Sequence, residues 1–176
     1  MKLITIDFES FYSADVGFAK QTTEEYVRDP QFHVIGVAVK VDNGTTEWAS
    51  GTHQELKVWL DQFDWENSTA LAHNAMFDGF ILSEHFNIRP RFWVDTLCMG
   101  RAVHGVEVSG SLAALAERYG VGKKGTEVHN FKGYRREDFQ DWELSKYGDY
   151  CINDVNLTYD LFHRMIRGGF PKKELH

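Results

Sequence analysis

The chain has 176 residues, 43% of them hydrophobic and 14% aromatic; that is enough apolar material for one packed domain and too much for a disordered segment. Its formal net charge is −7, which excludes coating of a nucleic-acid backbone by bulk positive charge but leaves room for an enzyme that holds nucleic acid through metal ions on clustered acids. No apolar run is long enough for a membrane span, Asp7 places a charge too early for a signal peptide, and Cys98 and Cys151 form neither a CxxC pair nor a disulfide framework, so a reducing cytoplasmic setting is expected.

Residues 2–9 alternate, Leu3, Thr5, Asp7 and Glu9 on one side, Ile4, Ile6 and Phe8 on the other, which predicts a strand. FHVIGVAVKV (32–41) is apolar or small almost throughout, as in a buried strand. DNG (42–44) is a hairpin turn, and TTEWAS (45–50) is its return strand. In THQELKVWLDQF (52–63), Thr52 and Glu55 make a capping box that opens a helix. TALAHN (69–74) reads as a short strand and AMFDGFILSEHF (75–86) as a helix with Met76, Phe80, Ile81 and Phe86 roughly on one face. RFWVDTL (91–97) begins as a strand, and SLAALAERYG (111–120) is a helix between a Ser111 cap and a Gly120 stop. Residues 121–137 are loop-rich and basic, and 141–166 form one long helix. Pro30 and Pro90 fall between elements. The order β-β-β-α-β-α-β-α-α points to an α/β fold, a central mixed sheet with three leading strands flanked by helices. No repeat or low-complexity linker interrupts it. The ending FPKKELH reads as a lead into further sequence.

Three short stretches carry chemistry. Residues two apart on a strand share a face, so Asp7 and Glu9 project together from the end of the first strand. On its own such a pair is more often two strand-end acids in solvent. Asn74 and Asp78 are one helical turn apart at a strand-to-helix junction; the plain structural alternative is an Asn74 cap and an exposed acid that suits the helix dipole. Tyr150 and Asp154 are again one turn apart, with a core-edge tyrosine and a solvated acid as the alternative. Taken together, DxE, NxxxD and YxxxD make the pattern of a two-metal phosphoryl-transfer site. Two divalent ions about 3.5–4 Å apart clamp the attacking and leaving oxygens of an in-line displacement, and hard cations such as Mg²⁺ prefer oxygen ligands. Without metal, four such acids repel one another.

Through DFE (7–9), NAMFD (74–78) and YCIND (150–154), the sequence resembles the Tyr-containing branch of the DEDD superfamily of 3′→5′ exonucleases, over nearly its full length. FESFYSADVGFAK, DPQF, AHNAMFD, FWVDTLCMGRA and SLAALAERYG look most like the proofreading exonuclease domain of phage-type family A DNA polymerases. The resemblance implies an RNase H-like fold, a single exonuclease domain over 1–176 ending where a polymerase domain would begin, and two divalent cations, Mg²⁺ or Mn²⁺. It implies metal-binding roles for Asp7, Glu9, Asp78 and Asp154, and a water-orienting role for Tyr150. Phe8, Ser10, Phe11, Asn74 and Phe77 are then expected near the substrate, Phe11 as a base-stacking wedge rather than Phe8, which points to the opposite strand face. The His-containing branch is disfavoured, because Asp149 stands where its histidine would be. The implied activity is hydrolysis of a single-stranded or frayed DNA 3′ end to nucleoside 5′-monophosphates, in replication proofreading beside a polymerase domain or subunit. The implied setting is the cytoplasm, of the host if the gene is phage-borne, with no membrane partner. Alternatives are an RNA-processing exonuclease of the same branch, a non-catalytic single-strand-binding module, and Ca²⁺ binding, for which the DxDxDG loop is missing.

Asp95 is expected to be structural. Lys123, Lys124, Lys132, Arg135 and Arg136 are expected either as a solvated basic loop or as contacts to a strand backbone. His73, His104 and His129 lack zinc spacing, and Cys151 reads as a packed thiol.

Overall fold

The computed structural model describes residues 1–126 and 131–175; His129 lies outside the described residues. The strands are β1 (Lys2–Ser10), β2 (Val34–Val41), β3 (Thr46–Ser50), β4 (Ser68–Ala72) and β5 (Phe92–Asp95). The helices are α1 (Thr23–Val27), α2 (His53–Leu60), α3 (Ala75–Phe86), α4 (Thr96–His104), α5 (Leu112–Tyr119) and α6 (Asp141–Arg167). The sheet order is β3-β2-β1-β4-β5. β2 runs antiparallel to β1 and to its hairpin partner β3, while β4 runs parallel to β1 and β5 parallel to β4. This is the mixed RNase H-like sheet expected from the sequence.

The alternation of β1 divides the core. Ile4, Ile6 and Phe8 pack with Leu56, Leu60, Ile81, Leu82 and Phe86 on the face covered by α2 and α3. Leu3 turns to the opposite face, where α5 and α6 supply Leu112, Leu115, Leu157 and Leu161. Asp7 and Glu9 share that second face, so their carboxylates point toward α6 by strand parity alone. The sheet there is lined by small residues that let α6 approach. A Cβ on Gly36 of β2 would fall 2.2 Å from the Trp48 ring, and one on Gly148 of α6 would fall 2.6 Å from the same ring. Trp48 therefore fills the space between β2 and α6 and fixes their separation.

Two helices, α1 and α4, are not evident in the sequence. The first has a capping box, Thr22 with Glu25, but only five residues and so no periodicity to read. The second begins inside RFWVDTL, directly after the strand that opens it. Asp95 ends β5 and accepts from the Leu97 amide at 2.8 Å, converting the strand end into a helix cap.

Candidate active site

The site forms where the end of β1 meets α3 and α6. Glu9 and Ser10 coincide with a register shift between β1 and β2, which ends regular pairing there. Tyr147 on α6 donates its hydroxyl to Glu9 Oε2 at 2.7 Å. One turn on, the Cys151 thiol lies 3.3 Å from both the Asp7 carbonyl and Oδ2. Ligand atoms of Asp7, Glu9 and Cys151 all lie within 4.8 Å of one another. Asp78, in the first turn of α3, is 2% exposed. Its Oδ1 accepts the Phe8 amide at 3.0 Å, which ties α3 to β1 between the two strand acids. Asp154 is also buried and forms an ion pair with Lys124. Tyr150 is buried one turn before it, with Lys124 Nζ 5.0 Å from its ring centroid.

The electrostatics are those of acids crowded away from water. Burial first, then Asp154, pushes the Asp7 carboxyl up to about 7, against the opposing pull of Lys124 and Cys151. Burial and then Asp7 hold Glu9 well above the usual carboxylate range, and the same two causes act on Asp78. Burial and Asp154 raise the Tyr150 phenol, so it keeps its proton and serves as a hydrogen-bond donor. Burial would lower the Lys124 ammonium, but Asp154, Tyr150 and Asp7 more than reverse this and hold it above its ordinary value. Mutual repulsion with all-oxygen donors is the chemistry that a hard divalent cation relieves. Asp7, Glu9, Asp78 and Asp154 therefore fit such an ion. Lys124 supplies the nearest positive charge from the protein itself.

A cavity of about 300 Å³ opens beside Glu9, bounded by Tyr12, Phe18, Phe77 and Tyr147 among others. Phe77 lines this cavity and touches Phe18 edge-on at 4.8 Å. Phe18 is 54% exposed.

Several expectations need correction. Phe11 is 5% exposed and stacks on His33 at 5.3 Å, with the Arg135 guanidinium over its ring at 4.7 Å; a ring held in the core cannot act as a wedge on a base. The Phe8 ring is equally buried and stacks on Phe86, so only its backbone reaches the site. The Ser10 hydroxyl borders the cavity but is bonded to the Tyr26 hydroxyl at 2.8 Å. Asn74 stands at the N-cap position in a left-handed conformation (φ 69°) and makes no side-chain cap bond. Asp95 takes that role, accepting the Asn74 and Ala75 amides at 2.9 and 3.1 Å.

The basic loop is also not simply solvated. Lys124 enters the acid cluster, Arg135 covers Phe11, and Arg136 Nε donates to Ser50 Oγ at 3.1 Å. Lys123 and Lys132 are exposed. His73 and His104 are satisfied polar residues, His104 through the Tyr119 hydroxyl at 2.8 Å. Sequence reading missed Tyr147 and the pairing of Lys124 with Asp154. Tyr147 lies three residues before Tyr150 on one helix, a same-face spacing that would have found it. Lys124 sits in an irregular loop and has no such signal.

A family model described as 3′-5′ exonuclease matches residues 53–167. No curated protein matches the sequence. Among solved structures, Trypanosoma brucei RNase D superposes with a TM-score of 0.71 at 14% identity, over 96% of this chain and 59% of that one. Brucella melitensis NrnC gives 0.66 at 15% identity, over 97% and 77%, and has also been solved with bound Mg²⁺ and with pGG. The family B DNA polymerase of the archaeon Pyrobaculum calidifontis gives 0.65 at 17% identity, over 94% of this chain and 24% of the polymerase. At such identities these likenesses speak for the fold, while the family match spans well over half of the sequence. The chain belongs to the 3′-5′ exonuclease family, within the DEDD superfamily.

Proposed function

We propose that this domain hydrolyses DNA from the 3′ end to nucleoside 5′-monophosphates, with Asp7, Glu9, Asp78 and Asp154 holding two divalent cations, Mg²⁺ or Mn²⁺. The observation that carries this reading is the meeting of those acids from β1, α3 and α6, where Asp7 is close enough to raise Glu9 and Asp78 and is itself raised by Asp154. The bound cations would activate water and stabilise the leaving 3′ oxygen. The protein's own part is geometric. Tyr150, kept protonated, donates a hydrogen bond that aims the attacking water. Tyr147 fixes the Glu9 carboxylate, and the Phe8 amide fixes Asp78. The cavity beside Glu9, with Phe18 and Phe77 at its edge, receives the terminal base by stacking, and Asn74 lies near the terminal nucleotide.

The DNA assignment rests on the likeness of the motifs to family A polymerase exonucleases. It extends to proofreading in the cytoplasm with a polymerase domain or subunit as partner, the domain covering 1–176. A 3′-labelled single strand incubated with Mg²⁺ or Mn²⁺ should release labelled mononucleotide, and Asp7→Ala should abolish release while the circular dichroism spectrum stays native. An intact 3′ end with folded wild-type protein would sink the reading. RNase D and NrnC among the fold relatives make RNA the competing substrate. Matched DNA and RNA oligonucleotides in one reaction decide between them, since only 2′-OH contacts differ.

A further inference from the structure

A second cavity, about 490 Å³, lies between α4, α5 and the loop that follows α5. Its charged side chains are both cationic, Arg101 on one side and Lys124 on the other, in a protein of net charge −7. Arg101 is exposed, and its guanidinium makes no ion pair among the described residues. His73, at the floor, is not a third cation. Burial holds its imidazole below the ordinary value. Its Nε2 donates to the Gly110 carbonyl at 2.9 Å, and its Nδ1 meets the Thr96 hydroxyl at 2.8 Å. The nearby acid, Asp95, is occupied by the amides of Asn74, Ala75 and Leu97. Nothing negative among the described lining residues competes for Arg101.

Lys124 belongs to both places. Its side chain lines this cavity while its ammonium pairs with Asp154 and sits over Tyr150. The cationic cavity is therefore contiguous with the carboxylate site. A strand whose terminal diester lies at the carboxylates has its next phosphate within reach of one flank of that site. The cationic flank is the one that lowers its energy, because charge-assisted guanidinium–phosphate bonds are strong and directional.

We propose that this cavity seats the backbone phosphate one linkage inside the scissile one, with Arg101 as its anchor and Lys124 bridging it to the reacting end. The inference rests on the exonuclease reading and adds the path of the strand, from the acids past Lys124 to Arg101.

The test uses single-stranded DNA with one neutral methylphosphonate linkage, either next to the scissile one or four linkages further in. In the wild type, the adjacent neutral linkage should raise KM several-fold, with little change in kcat. In Arg101→Ala, KM should already be raised several-fold, and the adjacent neutral linkage should add almost nothing. The distant linkage should act independently of the substitution. Loss of one phosphate contact should also flatten the slope of log affinity against log salt by about 0.7. Equal, additive penalties at both linkages would overturn the pocket. If the wild type cuts neither substrate, the exonuclease reading has failed, and anisotropy of the same oligonucleotides decides the pocket. A Kd weakened by the adjacent neutral linkage in wild type but not in Arg101→Ala supports it; indifference in both rejects it.

Discussion

His73 sits one residue before Asn74 and is held neutral by burial, with both ring nitrogens engaged. Its folded-state pKa is below the unfolded value near 6.5. The unfolded chain therefore binds more protons in the interval between them, and stability falls as pH drops. This contribution is fully present above about pH 6.5 and is lost as pH falls through the folded value. Asp7, Glu9 and Asp78 act oppositely, since their folded-state values are raised, so the comparison must be made against a variant. The urea midpoint of wild type minus that of His73→Gln should shrink between pH 7.5 and pH 5. A constant difference would mean that His73 does not titrate on unfolding. At this scale the sequence made the acids legible and their partners obscure. Asp7, Glu9, Asp78 and Asp154 stand in motifs of fixed local spacing, whereas Lys124 reaches Asp154 across 30 residues and Asp95 reaches Asn74 across 21. Phe11 was misread because strand parity breaks at the register shift just before it.

Among the elements, α6 carries the most consequence. It brings Tyr147, Tyr150, Cys151 and Asp154 to β1, and its height over the sheet is set where Gly148 meets Trp48. In Gly148→Ala the new methyl would lie 2.6 Å from a ring that is already confined on its far side by Gly36. Either the indole or the helix must move. Overpacking of this kind costs roughly 1–3 kcal/mol, read as a lower midpoint in urea. The same displacement should lower kcat several-fold, because Tyr150 and the Glu9 partner Tyr147 ride on the helix. A variant of unchanged stability and rate would show that Trp48 does not set the spacing. The sequence announced α2, α3, α5 and α6 through caps, stops and apolar periodicity. It concealed α1 and α4, one because it is only five residues long, the other because its cap is also the last residue of a strand.

For the whole molecule, the mixed sheet was legible because its strands are short apolar runs in a telling order. The joining of three distant segments in one site was legible only from the combined motif pattern and the family resemblance, not from any one spacing. Globally the protein is acidic, and no helix among the described residues is long and apolar enough to cross a membrane. On the proposed reading, affinity for a polyanion would therefore come from bound cations and the small basic flank. Adding Mg²⁺ or Mn²⁺ should raise the melting temperature by relieving carboxylate repulsion. At a concentration about 100 times Kd the gain corresponds to about 2.7 kcal/mol. Chelation should reverse the gain and weaken oligonucleotide binding at least tenfold. Asp7→Asn should melt higher than wild type without metal and respond less to it. Metal-independent melting and binding would remove the cation from the account.

The order of the segments along the chain has a temporal meaning. β1 and α3 emerge early during synthesis, but Tyr150 and Asp154 lie on the last long helix. A nascent chain that has not yet docked α6 holds two of its three acid-bearing segments and lacks the proposed contribution of Tyr150 and Asp154. On the proposed reading, cleavage would then begin only after this long helix has closed over the sheet.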